Sequence, residues 1–205
     1  MSRSTRERII DESLRLFAER GYSATSVAEI EAASGLSPGA GGLYRHFKSK
    51  YEVLAAAINE HASRTRVQVA ESMAELSAME SSVDLEERLA HVCRAGLAKV
   101  REESELTRVF FRDLSQFPEL VTVVREGLLQ PMFDAIVSWF QAQPEYRDVK
   151  LDWTGIAAVL GGAVVQYRLF LETVGELPGH AEKDQFVSAW VRLAVGLLPS
   201  PAPVS

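Results

Sequence analysis

Tyr44, Arg45, His46, Lys48, Ser49 and Lys50 bring a phenol, a guanidinium, an imidazole, a hydroxyl and two ammonium groups into one short stretch. Groups of these kinds donate hydrogen bonds to phosphate oxygens and, where they reach a base edge, read sequence. Phe47, in their midst, is expected to point the other way and anchor the stretch to a small core. Two short helical patterns around a turn would position these groups. In the first, Val27, Ile30, Ala33 and Ser34 recur on one face, and Thr25 or Ser26 can cap its start. Gly35 reads as a left-handed helix stop and Leu36 packs the corner. Ser37-Pro38 then restarts a helix as N-cap and first-turn proline. This is the order of a helix-turn-helix, whose second helix enters the DNA major groove. A helical hairpin with a solvated basic end is the plainer alternative.

Gly39, Gly41 and Gly42 sit where the second helix should begin. Each glycine costs about 0.8–1 kcal/mol relative to alanine inside a helix. The expectation is therefore a recognition helix that is short, or opens with an irregular turn, and becomes fully ordered on DNA. A bare glycine backbone can also come close to the DNA backbone. A phosphate-cradling nucleotide loop does not fit, because no Gly-Lys-Ser/Thr follows and no strand pattern precedes.

Longer quotations carry a family resemblance. Arg8-Ile9-Ile10-Asp11, Leu16-Phe17-Ala18-Glu19-Arg20-Gly21-Tyr22, Thr25-Ser26-Val27-Ala28-Glu29-Ile30, Ala33-Ser34-Gly35-Leu36-Ser37 and Leu43-Tyr44-Arg45-His46-Phe47-Lys48-Ser49-Lys50 stand in order over roughly the first 65 residues. Together they resemble the TetR family of transcriptional regulators (TetR/AcrR type). The resemblance implies an all-helical homodimer with N-terminal DNA-binding heads and a variable C-terminal domain that receives a small molecule. The chain departs from the commonest form at Pro38-Gly39-Ala40-Gly41-Gly42, which is about two residues longer. Expected DNA contacts are Tyr44, Arg45, His46 and Lys48, with Lys50 beside them and Ser37, Pro38, Gly39, Ala40 and Gly42 close to bases or backbone. Thr25 or Ser26 would add a phosphate contact.

Length and composition agree with this frame. The 205 residues suffice for one mid-sized core or two small domains, and 47% hydrophobic with 24% charged residues is a globular composition. A single cysteine, Cys93, permits no internal disulfide and suits the cytoplasm. It falls in a helical pattern, where a buried small side chain is the expectation and a redox sensor the rival. The N-terminus is polar, so no secretory leader is expected. Trp153 to Tyr167 is uncharged but only fifteen residues long. A membrane span needs about 20 apolar residues, so a buried helix is expected. The net charge of −6 divides unevenly: residues 1–50 hold eight basic against six acidic residues, and the remainder fourteen against twenty-two. An acidic body behind a basic head favours docking in one orientation.

The expected fold is all-α, with about nine helices. Residues 1–48 form a three-helix helix-turn-helix domain, 49–198 a helical regulatory and dimerisation domain, and 199–205 a disordered tail. Helices are predicted over 4–20, 49–76, 84–102, 104–114, from Pro118 to Phe140, 153–174 and 183–198, with loops at 78–83 and 142–152. Pro131 should kink its helix or split it.

Gly155, Ala158 and Gly162 are small enough to let helices approach closely, and Phe186, Trp190, Leu193 and Leu197 form a helical stripe. By resemblance these two helices pair with their mates in a four-helix dimer interface; filling the internal core is the alternative. Phe110, Phe111, Phe117, Met132, Phe133, Gln166, Tyr167 and Phe170 could wall a small-molecule site with a few polar handles. Arg112 or Arg168 would favour an anionic ligand if either faced inward. No metal-ligand spacing joins His46, His61, His91, His180 and Cys93, and no nucleophile elbow or dinucleotide fingerprint is present. Neither an enzyme nor a cofactor is therefore expected.

The sequence thus predicts a cytoplasmic, bacterial-type DNA-binding regulator, a repressor released from a palindromic operator by an effector. Its partners would be double-stranded DNA, a small molecule and a second copy of itself, with no membrane. The rivals are an effector-independent architectural or cell-division protein that binds DNA, and a helical adaptor acting through protein contacts.

Overall fold

Most helices begin at a residue whose side chain satisfies the first free backbone N–H groups. In the computed structural model, which describes residues 3–78 and 83–198, α1 (Thr5–Arg20) opens with a reciprocal box. Ser4 Oγ accepts from Glu7 N, and Glu7 Oε2 accepts from Ser4 N. Ser26 and Glu29 repeat the device at α2 (Val27–Ala33). Ser49 Oγ accepts from Glu52 N at the start of α3 (Lys50–Ala78), and Glu52 accepts from Lys48 N. There follow α4 (Leu85–Glu102), α5 (Ser104–Asp113), α6 (Pro118–Val124), α7 (Gln130–Ala142), α8 (Trp153–Val174) and α9 (Lys183–Val195). No strand occurs among the described residues, and the fold is all-α.

The predicted helices lie within a few residues of the observed ones, with one correction. Ser37-Pro38 does not start an α-helix. Turns run through 38–41, and only Leu43–Arg45 winds, as a single 3₁₀ turn. Gly39 and Gly41 have φ of +73° and +74°, left-handed values that a right-handed helix cannot contain. Two glycines of that hand replace the helix with an arc. Pro131 also acts differently from a simple break. The chain widens into a π turn at Arg125–Leu129, with Gln130 N donating to Arg125 O, and then continues as α7. A wider turn before the ring relieves its clash with the preceding carbonyls. The 142–152 segment contains one 3₁₀ turn, Pro144–Tyr146. Most of the expected 78–83 loop, and the tail 199–205, lie outside the described residues.

The chain folds as two units: residues 1–66 with 103–130, and 67–102 with 131–205. In the first, α1 packs on α2 and α5 around Ile9, Phe17, Ile30, Leu43, Phe47, Leu54, Val109 and Leu120. Tyr22 and Tyr51 pack against Phe117 beside that core, edge-on and tilted, with ring centroids 4.8 and 5.7 Å apart. In the second, α4 packs on α8 and α9 around Leu89, Cys93, Phe140, Tyr146, Leu160 and Ala194. Tyr146 Oη donates to Ala194 O at 2.8 Å and Trp190 Nε1 to Leu160 O at 3.0 Å. Buried Arg88 donates to Gln143 and pairs with Glu145, so the buried guanidinium is compensated.

One face of α8 departs from the expected buried helix. Trp153, Ala157, Leu160, Val164 and Tyr167 enter the core, yet only 22% of its most apolar window is buried. By length and composition this helix could cross a membrane. Its packing on α4 and the Trp190–Leu160 bond instead tie it into the second unit.

Candidate nucleic-acid interface

The turn-forming sequence around Gly35 to Lys50 puts two kinds of side chain on opposite sides. Leu43 and Phe47, four residues apart, are both buried in the core of the first unit. Tyr44, Arg45 and His46, between them, are exposed, Tyr44 by 57%. The Lys48 side chain is 91% exposed, with Glu52 Oε1 3.9 Å from its ammonium. The expectation that Phe47 anchors the stretch holds: its ring lies under the Arg6 guanidinium at 5.2 Å. Phenol, guanidinium, imidazole and ammonium therefore stand outward on a short rigid frame, an arrangement able to donate to phosphates and base edges.

Before the turn, the basic and hydroxyl groups divide differently. Ser26 is exposed but its hydroxyl serves the α2 cap. Bonds from the Ser26 backbone and hydroxyl hold the Glu29 carboxyl below its ordinary pKa, and Arg20 pairs with it at 2.7 Å. Thr25 is buried and donates to Gly21 O at 2.8 Å. Lys50 Nζ donates to Tyr22 O and Thr25 O, each at 2.6 Å, and stands 4.3 Å from the Tyr22 ring centre. Burial lowers its pKa, against the pull of Asp113 and Glu29. Two of the twelve residues expected to meet DNA, Thr25 and Lys50, thus spend their donors inside the protein.

Ser37, Pro38, Gly39 and Ala40 are exposed along the arc, and Gly42 is half-buried. A Cβ on Gly42 would stand 3.2 Å from Leu36 Cδ1. Glu31, absent from the sequence-based site, is fully buried beneath the arc. Its Oε2 accepts from Gly39 N at 2.7 Å and its Oε1 from Leu43 N at 3.0 Å. A signal for it exists in the sequence: Glu31 is four residues after Val27, on the apolar stripe rather than the polar face.

Arg112 and Asp113 at the end of α5 join the other side of this unit. Arg112 donates to Phe17 O and Ala18 O, and Asp113 accepts from Tyr22 N. Arg112 is therefore a clamp on the end of α1. Arg168 pairs with Glu172 one turn further along α8.

The aromatic residues expected to line a ligand site lie in different places. Phe110 and Phe111 form an edge-to-face pair at 5.1 Å, with Phe111 exposed, and Phe117 packs against Tyr22 and Tyr51. In the second unit, Phe133 approaches Gly161, Tyr167 packs on Phe186 at 4.4 Å, Gln166 is exposed, and Met132 and Phe170 are half-buried. Of the residues expected at a dimer face, Ala158, Gly162 and Leu193 are exposed, Gly155, Phe186 and Leu197 half-buried, and Trp190 buried in its own unit. Val159 is 70% exposed as well. Among the described residues, no group of three or more His, Cys, Asp or Glu side chains could hold a metal ion.

Residues 9–57 match the family of bacterial regulatory proteins described as the tetR family. Over 52 residues, a quarter of this chain, the sequence is 50% identical to the uncharacterized HTH-type transcriptional regulator YerO of Bacillus subtilis (strain 168). That match spans only 17% of the relative's own length. Solved structures extend the likeness to nearly the whole fold. A TetR-family transcriptional regulator from Mesorhizobium loti superposes with a TM-score of 0.71 at 20% identity, over 94% of this chain and 96% of the other. The regulator FadR from Bacillus subtilis, solved with stearoyl-CoA, gives 0.65 at 18% identity over 94% and 97%.

Proposed function

We propose that this chain, whose residues 9–57 match the tetR family of bacterial regulatory proteins, is a transcriptional regulator and not an enzyme, and that it reads a palindromic operator as a homodimer. On this reading it is a repressor, released when a small molecule binds the helical region 49–198, and it works in the cytoplasm. The observation that carries the proposal is the outward set Tyr44, Arg45, His46 and Lys48 on a frame fixed by buried Leu43 and Phe47. Paired heads would insert this stretch into successive major grooves, about 34–36 Å apart. Ser26 and the arc Ser37–Gly42 would lie at the phosphates or base edges. Buried Thr25 and half-buried Lys50 would contribute by holding the head together.

The dimer reading draws on α8 and α9. Ala158, Val159, Gly162 and Leu193 present an apolar, small-residue surface, and helices pack most closely where side chains are small. Covering that surface with a second copy removes it from water and yields the two-fold symmetry a palindrome requires. For the effector, the stearoyl-CoA bound by the structurally similar FadR makes an apolar, acyl-bearing molecule a first candidate to screen. Met132, Phe133 and Phe170, half-buried in the second unit, would offer apolar surface to one. Linkage then requires that DNA weaken effector binding by the same factor as the effector weakens DNA binding.

Selection of the purified protein on a random duplex pool near physiological salt tests the reading. The expected result is an enriched inverted repeat, whose half-site spacing gives the head separation. Retention that depends on salt without sequence preference would favour an architectural role instead.

A further inference from the structure

The second helix of the motif is missing its own hydrogen-bond ladder, and a side chain takes its place. From Gly39 to Leu43 the chain makes an arc whose local bonds are short turns: Ala40 N to Ser37 O at 3.2 Å, and Tyr44 N to Gly41 O at 3.2 Å. The polar link between this arc and α2 is the Glu31 carboxylate, which accepts Gly39 N with one oxygen and Leu43 N with the other. A fully buried carboxylate needs such partners, and N–H groups bonded to an ionised oxygen are held more firmly than neutral pairs. One rigid side chain therefore closes both ends of the arc. Everything between them, Ala40, Gly41 and Gly42, and everything just beyond, Tyr44 to His46, takes its position from that closure.

We propose that Glu31 is a positioning residue for DNA reading: it locks the Gly39–Leu43 arc so that a bracketed loop, rather than an α-helix, enters the major groove. The inference rests on the DNA-reading function proposed above. It bears on the expectation of a segment that becomes fully ordered on DNA, since on this proposal the bracket already holds both ends in the free protein. Glutamine cannot substitute. Its single carbonyl oxygen accepts one of the two N–H groups, and its own NH₂ confronts the other. Aspartate keeps the charge but withdraws it by one methylene, so it cannot span both ends.

The test compares the full-length wild type with E31Q and E31D. Random-duplex selection of the wild type comes first; then each protein is titrated with the selected site and with random duplex over a range of salt, and amide exchange is followed in the free state. The wild type should show slowed exchange at Gly39 and Leu43. Both variants should lose roughly tenfold in the ratio of specific to random affinity, the scale of a misread base pair. Random-duplex affinity and its salt slope should stay unchanged, because Arg45 and Lys48 remain. In both variants an arc amide should exchange faster while the α1 core does not. A ratio kept within about twofold in either variant would overturn the proposal. So would faster exchange throughout α1 with equal loss of specific and random binding, which would assign Glu31 to folding alone. A wild type that selects no sequence would instead remove the DNA-reading function itself.

Discussion

Lys50 and Tyr44 both lie in the basic aromatic stretch, yet the structure uses them in opposite ways. Lys50 feeds two backbone carbonyls, Tyr22 O and Thr25 O, that would otherwise lack a charged donor. Lys50→Met should destabilise the head by about 1–3 kcal/mol in chemical denaturation. Tyr44→Ala removes an exposed ring and should shift stability by no more than about 0.5 kcal/mol, while weakening DNA retention in a binding titration. Cys93 illustrates a residue withdrawn from chemistry by its surroundings. It is buried, and burial pushes its thiol up to about 12. The thiolate is the reactive form, so a thiol reagent at pH 8 should label the native protein negligibly and label it fully once denatured.

At the scale of elements, the head depends on caps and on the hand of its turn. Backbone and hydroxyl bonds from Ser4 and Ser26 hold the carboxyls of Glu7 and Glu29 below their ordinary values. A lowered folded-state pKa contributes stability above the unfolded carboxyl value, about 4.3, and loses it as pH falls through the folded value. The melting temperature of the wild type should therefore drop as pH goes from about 5 to 3, and the drop should be shallower in the double variant E7Q/E29Q. Gly39→Ala and Gly41→Ala address the arc. Each forces a Cβ onto a left-handed backbone at roughly 1–2 kcal/mol. Calorimetry should show the loss, and DNA selection should show a changed site. Arg112, which donates to the last carbonyls of α1, completes the set of contacts by which α5 secures the head.

Across the whole molecule, the charge asymmetry and the apolar face of α8 and α9 carry the functional argument. The basic excess sits in residues 1–50 and the acidic excess in the rest, a distribution that favours phosphate approach to the head. Val159 and Leu193 are 70% and 66% exposed, an expensive placement for an isolated chain but a sensible one for a dimer interface. Val159→Glu with Leu193→Glu should shift sedimentation from dimer to monomer. The same variant should bind a single half-site more weakly than the parent binds the full repeat, while the head keeps its fold.

The sequence by itself determined the helical architecture, the family resemblance of the first 65 residues and the chemistry of Tyr44, Arg45, His46 and Lys48, because caps, apolar periodicity and turn glycines act over a few residues. The boundaries of α8 were legible for the same reason. Only the tertiary structure decided which donors face out. Thr25 and Lys50 have the side chains of DNA contacts, but the carbonyls they serve come together only when α1, α2 and α3 pack. The place of Glu31 on an apolar stripe was legible, but its role was not. Its bonds cross eight and twelve residues to Gly39 and Leu43, beyond the reach of a local pattern. The missing helix follows likewise, since three glycines weaken a helix, but the hand of Gly39 and Gly41 and the closure by a buried carboxylate depend on the space beneath the arc.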